Sequence, residues 1–339
     1  MPPPWLGAEL TGDERYANQT LATKGLPEAA TKSDDVRMPS RAYRLRDDED
    51  AATGVRRAIV GRLDRAAERL REAPDEGDAL AEAIHGARKD LKKARAALRL
   101  VRDEMGETTF ERENRALRDA GRLLSASRDA QVKLGTLDSL VEGSGDAPPG
   151  PTALWREALV ADRDRIVGDE TDGTEEAVAA IEVVAARAPE WKLRENGWRL
   201  LAPGLDTAYR EGRAAFATLG EEACFEAVHE LRKRAKDLWY QVRLLRDAWP
   251  RVLDANAEEI HDFTDLLGDH HDLAVLAEDL AGRTEVDAAH RETLRTLIEA
   301  RQASLLAEAL AAGERVYAEK PKAFGRRMRA YWRAWRRAA

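Results

Sequence analysis

The sequence predicts an all-α protein, and three observations carry that prediction. Charged residues make up 35% of the 339-residue chain and aromatics only 6%, with Ala, Leu, Arg and Glu prominent, which is the usage of helical proteins. Long stretches lack both Pro and Gly, the residues that end helices. One segment with helical spacing also occurs twice. IHGARKDLKKARAALRLVRD at 84–103 returns 144 positions later as VHELRKRAKDLWYQVRLLRD at 228–247.

In chain order, residues 1–40 mix Pro, Gly, Thr and Asp without periodicity and read as disordered. A helix is expected from about Asp47–Asp50 to Ala73, stopped by Pro74. Asp78 is placed to cap the next helix, which carries the first copy of the repeat, and Thr109 to cap a third running toward Leu124. A fourth follows Asp129 and ends by Gly143, and GSGDAPPGP at 143–151 reads as a long loop. Residues 152–167 and 174–187 look helical, and the pattern breaks between Pro189 and Pro203, with Trp191 and Trp198 as anchors. Helices are then expected at 204–219, 221–248, 251–267, 271–282 and 286–318, with a short basic helix bearing Trp after Pro321.

The repeat reaches further than one helix. AGRLLSASRDAQVKL at 120–134 aligns with FTDLLGDHHDLAVL at 263–276, with an offset of 143 instead of 144. A single loop deletion accounts for that difference. Two related units of about four helices each follow as the economical architecture. The expected boundaries are 41–150 for the first unit, 151–203 for its remainder and a connector, and 204–339 for the second unit with its basic tail.

The repeat keeps charges as well as core positions. His85, Arg88, Lys92, Arg95, Arg99 and Arg102 step by three and four, and so share one helix face. The second copy gives His229, Arg232, Lys236, Trp239, Arg243 and Arg246. One residue earlier in each register lies an apolar row: Ile84, Ala87, Leu91, Ala94, Leu98, Val101, and Val228, Leu231, Ala235, Leu238, Val242, Leu245. One residue is about 100° of helical rotation, so the cations should border the core, in rows roughly 25 Å long.

The net charge of −8 is unevenly spread. Segments 85–102, 229–246 and 320–337 hold +6, +4 and +8, leaving −26 on the rest of the chain. Segregation of this kind focuses a positive field. A merely solvated face would interleave acids for i, i+4 pairing, and these rows have almost none. No run of 18 apolar residues suggests a membrane span, and MPPPWLGAEL lacks a signal-peptide pattern. A single cysteine, Cys224, rules out an internal disulfide and any cysteine-based metal cluster. The expected location is cytoplasmic.

The two cationic segments, the LL…RD…V and LL…HD…V elements, AYREGR at 208–213 and EKPKAF at 319–324 together resemble the CHAD family, the conserved histidine α-helical domain. The likeness covers roughly residues 43–335. It implies two four-helix bundles related by a pseudo-twofold axis, forming one CHAD-like domain. It further implies binding of inorganic polyphosphate in a basic groove or pore, in some members at polyphosphate granules. Granule-associated proteins or a triphosphate tunnel enzyme are the implied partners. Catalytic residues, metal ligands and cofactors are not expected, and neither is a membrane partner. The residues it implicates are His85, Arg88, Lys89, Lys92, Arg99 and Arg102 in the first unit, and His229, Arg232, Lys233, Lys236, Arg243 and Arg246 in the second. Tyr209, Arg210, Arg213, Lys320 and Lys322 belong to supporting motifs. This sequence departs from the family at Gly86, Ala87 and Trp239.

Three rival readings remain. The rows could follow an RNA or DNA backbone, although they carry one aromatic and almost no Asn or Gln, so stacking and base-reading groups are scarce. His270, His271 and Asp272, with His229 and His261, could hold a metal for phosphohydrolysis, although Arg128 occupies the matching position in the first unit and a guanidinium cannot ligate metal. Finally, acids from other helices could neutralise the rows in a purely structural scaffold. Asp129 and Asp272 read as structural.

Overall fold

The computed structural model describes residues 42–74, 77–124, 126–144, 147–167, 171–221 and 224–338. The expectation for residues 1–40 lies outside them. The described residues are all-α, with twelve helices: α1 (Ala51–Arg71), α2 (Asp78–Leu100), α3 (Arg102–Met105), α4 (Glu107–Leu123), α5 (Ala126–Ser144), α6 (Pro149–Val167), α7 (Thr171–Arg187), α8 (Trp198–Glu221), α9 (Phe225–Leu244), α10 (Pro250–Ala281), α11 (Ala288–Val316) and α12 (Pro321–Ala338). Two 3-10 turns, Ala188–Glu190 and Arg246–Ala248, complete the order.

Helix starts follow local chemistry, and not always the residue expected. Asp50 caps α1 by accepting from the Thr53 amide. Asp78 and Thr109 are not caps. Gly77 and Gly106, with φ of 86° and 74°, make the entries to α2 and α4, where the positive φ favours glycine over any side chain. The loop expected at 143–151 is shorter, because Pro149 opens α6, a position whose missing N–H costs nothing. Pro203 lies inside α8, near its start. The helices expected at 251–267 and 271–282 are one continuous α10 of 32 residues. Gly268 at its middle is not a breaker but makes room: a Cβ there would meet the Arg232 guanidinium at 3.2 Å.

Two buried cores hold the helices. The larger takes in α1, α2, α4, α7, α8, α9, the first half of α10, the end of α11, and α12. Both apolar rows of the repeat lie in it, and none of their twelve residues is more than 2% exposed. Burying each Leu, Ile or Val contributes about 1.5–3 kcal/mol, so these rows fix the rotation of α2 and α9. Gly204 on α8 allows close approach to the end of α2, because a Cβ there would stand 2.2 Å from the Leu100 carbonyl oxygen. Charge also enters this core. Asp90 on α2 is 2% exposed and pairs with Arg62 of α1 at 3.2 Å. Glu113 on α4, fully buried, accepts from Arg187 of α7 at 2.6 Å.

The second core joins α5 and α6 to the second half of α10 and the first half of α11, through residues such as Leu137, Trp155, Leu276 and Ile298. Asp279 clamps it. The carboxylate accepts from the Arg283 guanidinium at 2.7 Å, from Lys133 at 2.9 Å and from the Trp155 indole at 3.0 Å. Burial opposes its ionisation, but these hydrogen bonds outweigh burial and hold its pKa at about 2.

Candidate anion site between α2 and α9

The cationic helices border the core as the spacing predicts. His85, Arg88, Arg95 and Arg99 are half-buried and Lys92 is exposed, one step round α2 from the buried row. Both helices stop sooner than expected. α2 ends at Leu100 and α9 at Leu244, equivalent points of the repeat. Arg102 therefore belongs to α3 and Arg246 to the 3-10 turn after α9. The backbone leaves the α-helix at both points, so neither row continues along one helix to its last member.

The two helices meet directly. Gln241 donates to the Ala96 carbonyl at 3.3 Å, and Arg99 donates to Asp237 at 2.7 Å. Beside this junction lies a cavity of about 490 Å³. It takes Lys89 and Lys93 from α2, Trp239, Tyr240 and Arg243 from α9, then Arg246 and, from α10, Asp254, Glu258 and His261. The α2 residues that line this cavity, Lys89 and Lys93, are thus one position beyond members of the predicted row. Arg88, Lys92 and Arg95 of the row itself line a separate cavity of about 180 Å³, opposite Arg118 and Arg122 of α4. The rows do not open into one recess: a 100° step on α2 sends neighbouring cations to two places.

Lys236 joins the two helices electrically. It is half-buried, and burial first, then Arg232, lowers its pKa to about 8; Lys89 across the junction adds to the effect, while Asp265 and Asp272 oppose it. Lys93 is lowered by burial, against the pull of Asp90. Arg95 is brought to about 10 by burial and by Arg99. Arg232 leaves its buried Nε without a hydrogen-bond partner. Arg243 lies over the Trp239 ring at 5.2 Å, so the aromatic that interrupts the second row supports a cation. Among the described residues, Lys89, Arg232, Lys236 and Arg243 have no carboxylate within ion-pairing distance.

Other members of the rows are answered by acids, contrary to the sequence expectation. Arg99 pairs with Asp237, Lys233 with Glu230 at 2.7 Å, Arg246 with Asp254 at 3.0 Å, and Arg102 reaches Glu107 at 3.9 Å. Glu107 and Asp254 come from other elements, which counting acids along each row could not reveal. Burial raises the Asp237 pKa even against Arg99 and Arg95. Arg88 serves the backbone as well, donating to the carbonyls of Gly121 and Leu124 at 2.6 and 3.0 Å.

The supporting motifs lie elsewhere. Tyr209 is buried, its ring stacks on Phe324 at 4.0 Å, and its hydroxyl donates to the Glu319 carbonyl at 3.1 Å. Arg213 donates to the Tyr317 carbonyl at 3.2 Å, and the exposed Arg210 to Thr207 at 3.1 Å. Tyr209 and Arg213 therefore join α8 to the α11–α12 connection. Lys320 and Lys322 are exposed at the start of α12, and none of these five residues lines either cavity. Gly86 is explained as well: the Arg69 guanidinium of α1 lies 2.7 Å from where its Cβ would be.

The histidines form a stack instead of a ligand set. His271 lies 4.9 Å from the Phe225 ring and 5.1 Å from His229. Burial, then Arg232 and His229, takes His271 down to about 4, and burial with Lys233 and Arg232 lowers His229. Both shifts favour the neutral imidazole. His261 instead pairs with Asp265 at 2.8 Å. Among the described residues, no group of three or more His, Cys, Asp or Glu is arranged to hold a metal ion.

Sequence reasoning missed Lys93, Arg118 and Arg122 as site residues. A signal for the last two was present: Arg115, Arg118 and Arg122 step by three and four along α4.

Comparison with known proteins agrees with this architecture. The CHAD domain family model matches residues 61–281, well over half of the chain. The chain belongs to the CHAD domain family. It is similar in fold to the crystal structure of the CHAD domain from the plant Ricinus communis, with a TM-score of 0.58 and 16% identity over 85% of this chain and 99% of that one. No curated protein matches the chain. Among the described residues, no helix is long and apolar enough to cross a membrane.

Proposed function

We propose that this chain binds inorganic polyphosphate along the cationic surface where α2 and α9 meet, without catalysing a reaction of its own. The observation that carries the reading is that Lys89 and Arg243 line one cavity, that Arg232 and Lys89 both act on the half-buried Lys236, and that among the described residues none of the four has a carboxylate within ion-pairing distance. Placing like charges side by side and half out of water costs free energy. A polyanion that arrives with closely spaced phosphates offsets that cost. Arg supplies a planar fork for two phosphate oxygens and Lys a point charge, and the helices hold both in place before binding. A cytoplasmic role at polyphosphate granules, with granule proteins or a triphosphate tunnel enzyme as partners, belongs to the same reading.

Nucleic acid is disfavoured because Trp239 and Tyr240, the aromatics at the cavity, are 9% and 4% exposed and offer no free face for bases. The discriminating experiment is competition at equal phosphate concentration and fixed salt. Polyphosphate should displace single-stranded RNA from the protein, and RNA should not displace polyphosphate. The reverse order would reject the reading.

The pH dependence carries a definite sign. Lys236 is charged below about pH 8 and neutral above it. A polyanion favours the charged form, so affinity should fall as pH rises from 7 to 9. Lys236→Arg, which stays charged, should flatten that fall in a calorimetric titration. Folding responds oppositely. The lowered pKa means the unfolded chain holds this proton more tightly, so the Lys236 contribution to stability rises between about pH 8 and its ordinary value of 10.5.

A further inference from the structure

The C-terminal helix α12 divides its cations between two duties. Phe324, Met328 and Trp332 are buried in the main core. Arg327 turns back to Glu319 at 2.7 Å, and Arg336 donates to the carbonyls of Arg46, Asp47 and Glu49 at 2.9–3.1 Å. Those two are structural. The rest of the charge faces outward. Lys322, Arg326, Arg329, Arg333 and Arg337 are all exposed, and steps of four, three, four and four place them in one stripe. The helix carries no acid. Among the described residues, none of the five has a carboxylate within ion-pairing distance. At about 1.5 Å per residue the stripe is roughly 22 Å long.

Its position is informative. α12 packs along α8 and along the 3-10 turn Arg246–Ala248, and Tyr331 meets Trp249 edge-on at 4.9 Å. That turn begins with Arg246, which lines the cavity between α2 and α9. The stripe therefore lies on a helix packed directly against an element of the candidate site.

We propose that the outer face of α12 is a second track for a linear polyanion, and that long polyphosphate runs from the α2–α9 cavity past Arg246 onto this stripe. The inference rests on the polyphosphate reading of the cavity. Charge complementarity selects the occupant. The stripe consists of point charges and forks, which suit a chain of phosphates, while the neighbouring Trp249, 48% exposed against Tyr331, leaves an aromatic surface on which a base could stack. Phe324, Met328 and Trp332 of the apolar face are buried and Tyr331 and Trp335 are half-buried, so little apolar surface is left to insert into a lipid surface. Two linked sites on one ligand raise affinity by effective concentration, with each site's own interactions unchanged. Short chains would use the cavity alone.

The test is the triple variant Arg326→Gln/Arg329→Gln/Arg333→Gln in the full chain, with helicity checked by circular dichroism. Tripolyphosphate and long-chain polyphosphate are titrated across a salt series. Tripolyphosphate binding should be unchanged. Long-chain affinity should fall about tenfold or more, and its log–log salt slope should flatten by about 2, at roughly 0.7 for each phosphate no longer neutralised. An unchanged long-chain affinity and slope would overturn the second track. If the variant instead loses only binding to single-stranded RNA or to phosphatidylserine vesicles, the stripe belongs to that ligand and the proposal is wrong. Failure of the wild type to bind either polyphosphate would remove the cavity reading itself, and this inference with it.

Discussion

Lys89→Glu combined with Arg243→Glu should lower polyphosphate affinity at least about a hundredfold and leave helicity intact. The two residues come from different helices, line one cavity and, among the described residues, have no carboxylate within ion-pairing distance. A hydrogen bond to a charged group contributes about 1.5–3 kcal/mol. Removing two such hydrogen bonds to phosphate costs about 3–6 kcal/mol, more than a hundredfold in affinity, before the new repulsion is counted. Arg88 would be a poor choice for the same test. It donates to the carbonyls of Gly121 and Leu124, so reversing its charge would also disturb the end of α4. Calorimetry at several salt concentrations reads the result. Retained affinity in the Lys89/Arg243 variant would place the ligand elsewhere.

Asp90→Ala should be the most damaging single change to stability. The carboxylate is 3% exposed and lies 3.2 Å from Arg62, 3.4 Å from Lys93, 3.6 Å from Arg69 and 3.9 Å from Arg65. Arg62 is itself almost wholly buried. Removing the acid takes away the buried carboxylate that pairs with this guanidinium, at a cost of about 3–5 kcal/mol. Urea unfolding should shift to a much lower midpoint. Polyphosphate binding at low denaturant should change far less than in the Lys89/Arg243 variant, because Lys89 and Arg243 remain. A loss of stability below about 1 kcal/mol, well short of that cost, would mean the network carries little of the fold.

These residues show how far the sequence could be read. Asp90 is visible there only as the lone acid of a basic segment, and nothing in its spacing says that it faces inward to α1. The apolar rows were legible because burial follows directly from helical period, and all twelve positions are buried. The family followed from order and duplication of short motifs, and the match over residues 61–281 agrees. Local breaks were harder. The break expected between 267 and 271 is absent, and Gly268 there accommodates Arg232 within a continuous α10. Equally, the short turns after Leu100 and Leu244 are invisible in a run of good helix formers. Which cations stay unpaired was least legible. The partners of Arg102 and Arg246, which are Glu107 and Asp254, come from other elements. Tyr209 and Arg213 illustrate a related limit: a motif can mark the frame that holds a domain together without marking the residues that touch its ligand.

The central claim is that α2 and α9 jointly present a polyphosphate site. A crystal structure of the protein with a short polyphosphate tests it most directly. Phosphate density is expected in the cavity between these helices, with oxygens in hydrogen-bond reach of Lys89, Lys93 and Arg243 together. A polyphosphate bound only on another surface, with that cavity filled by water, would contradict it.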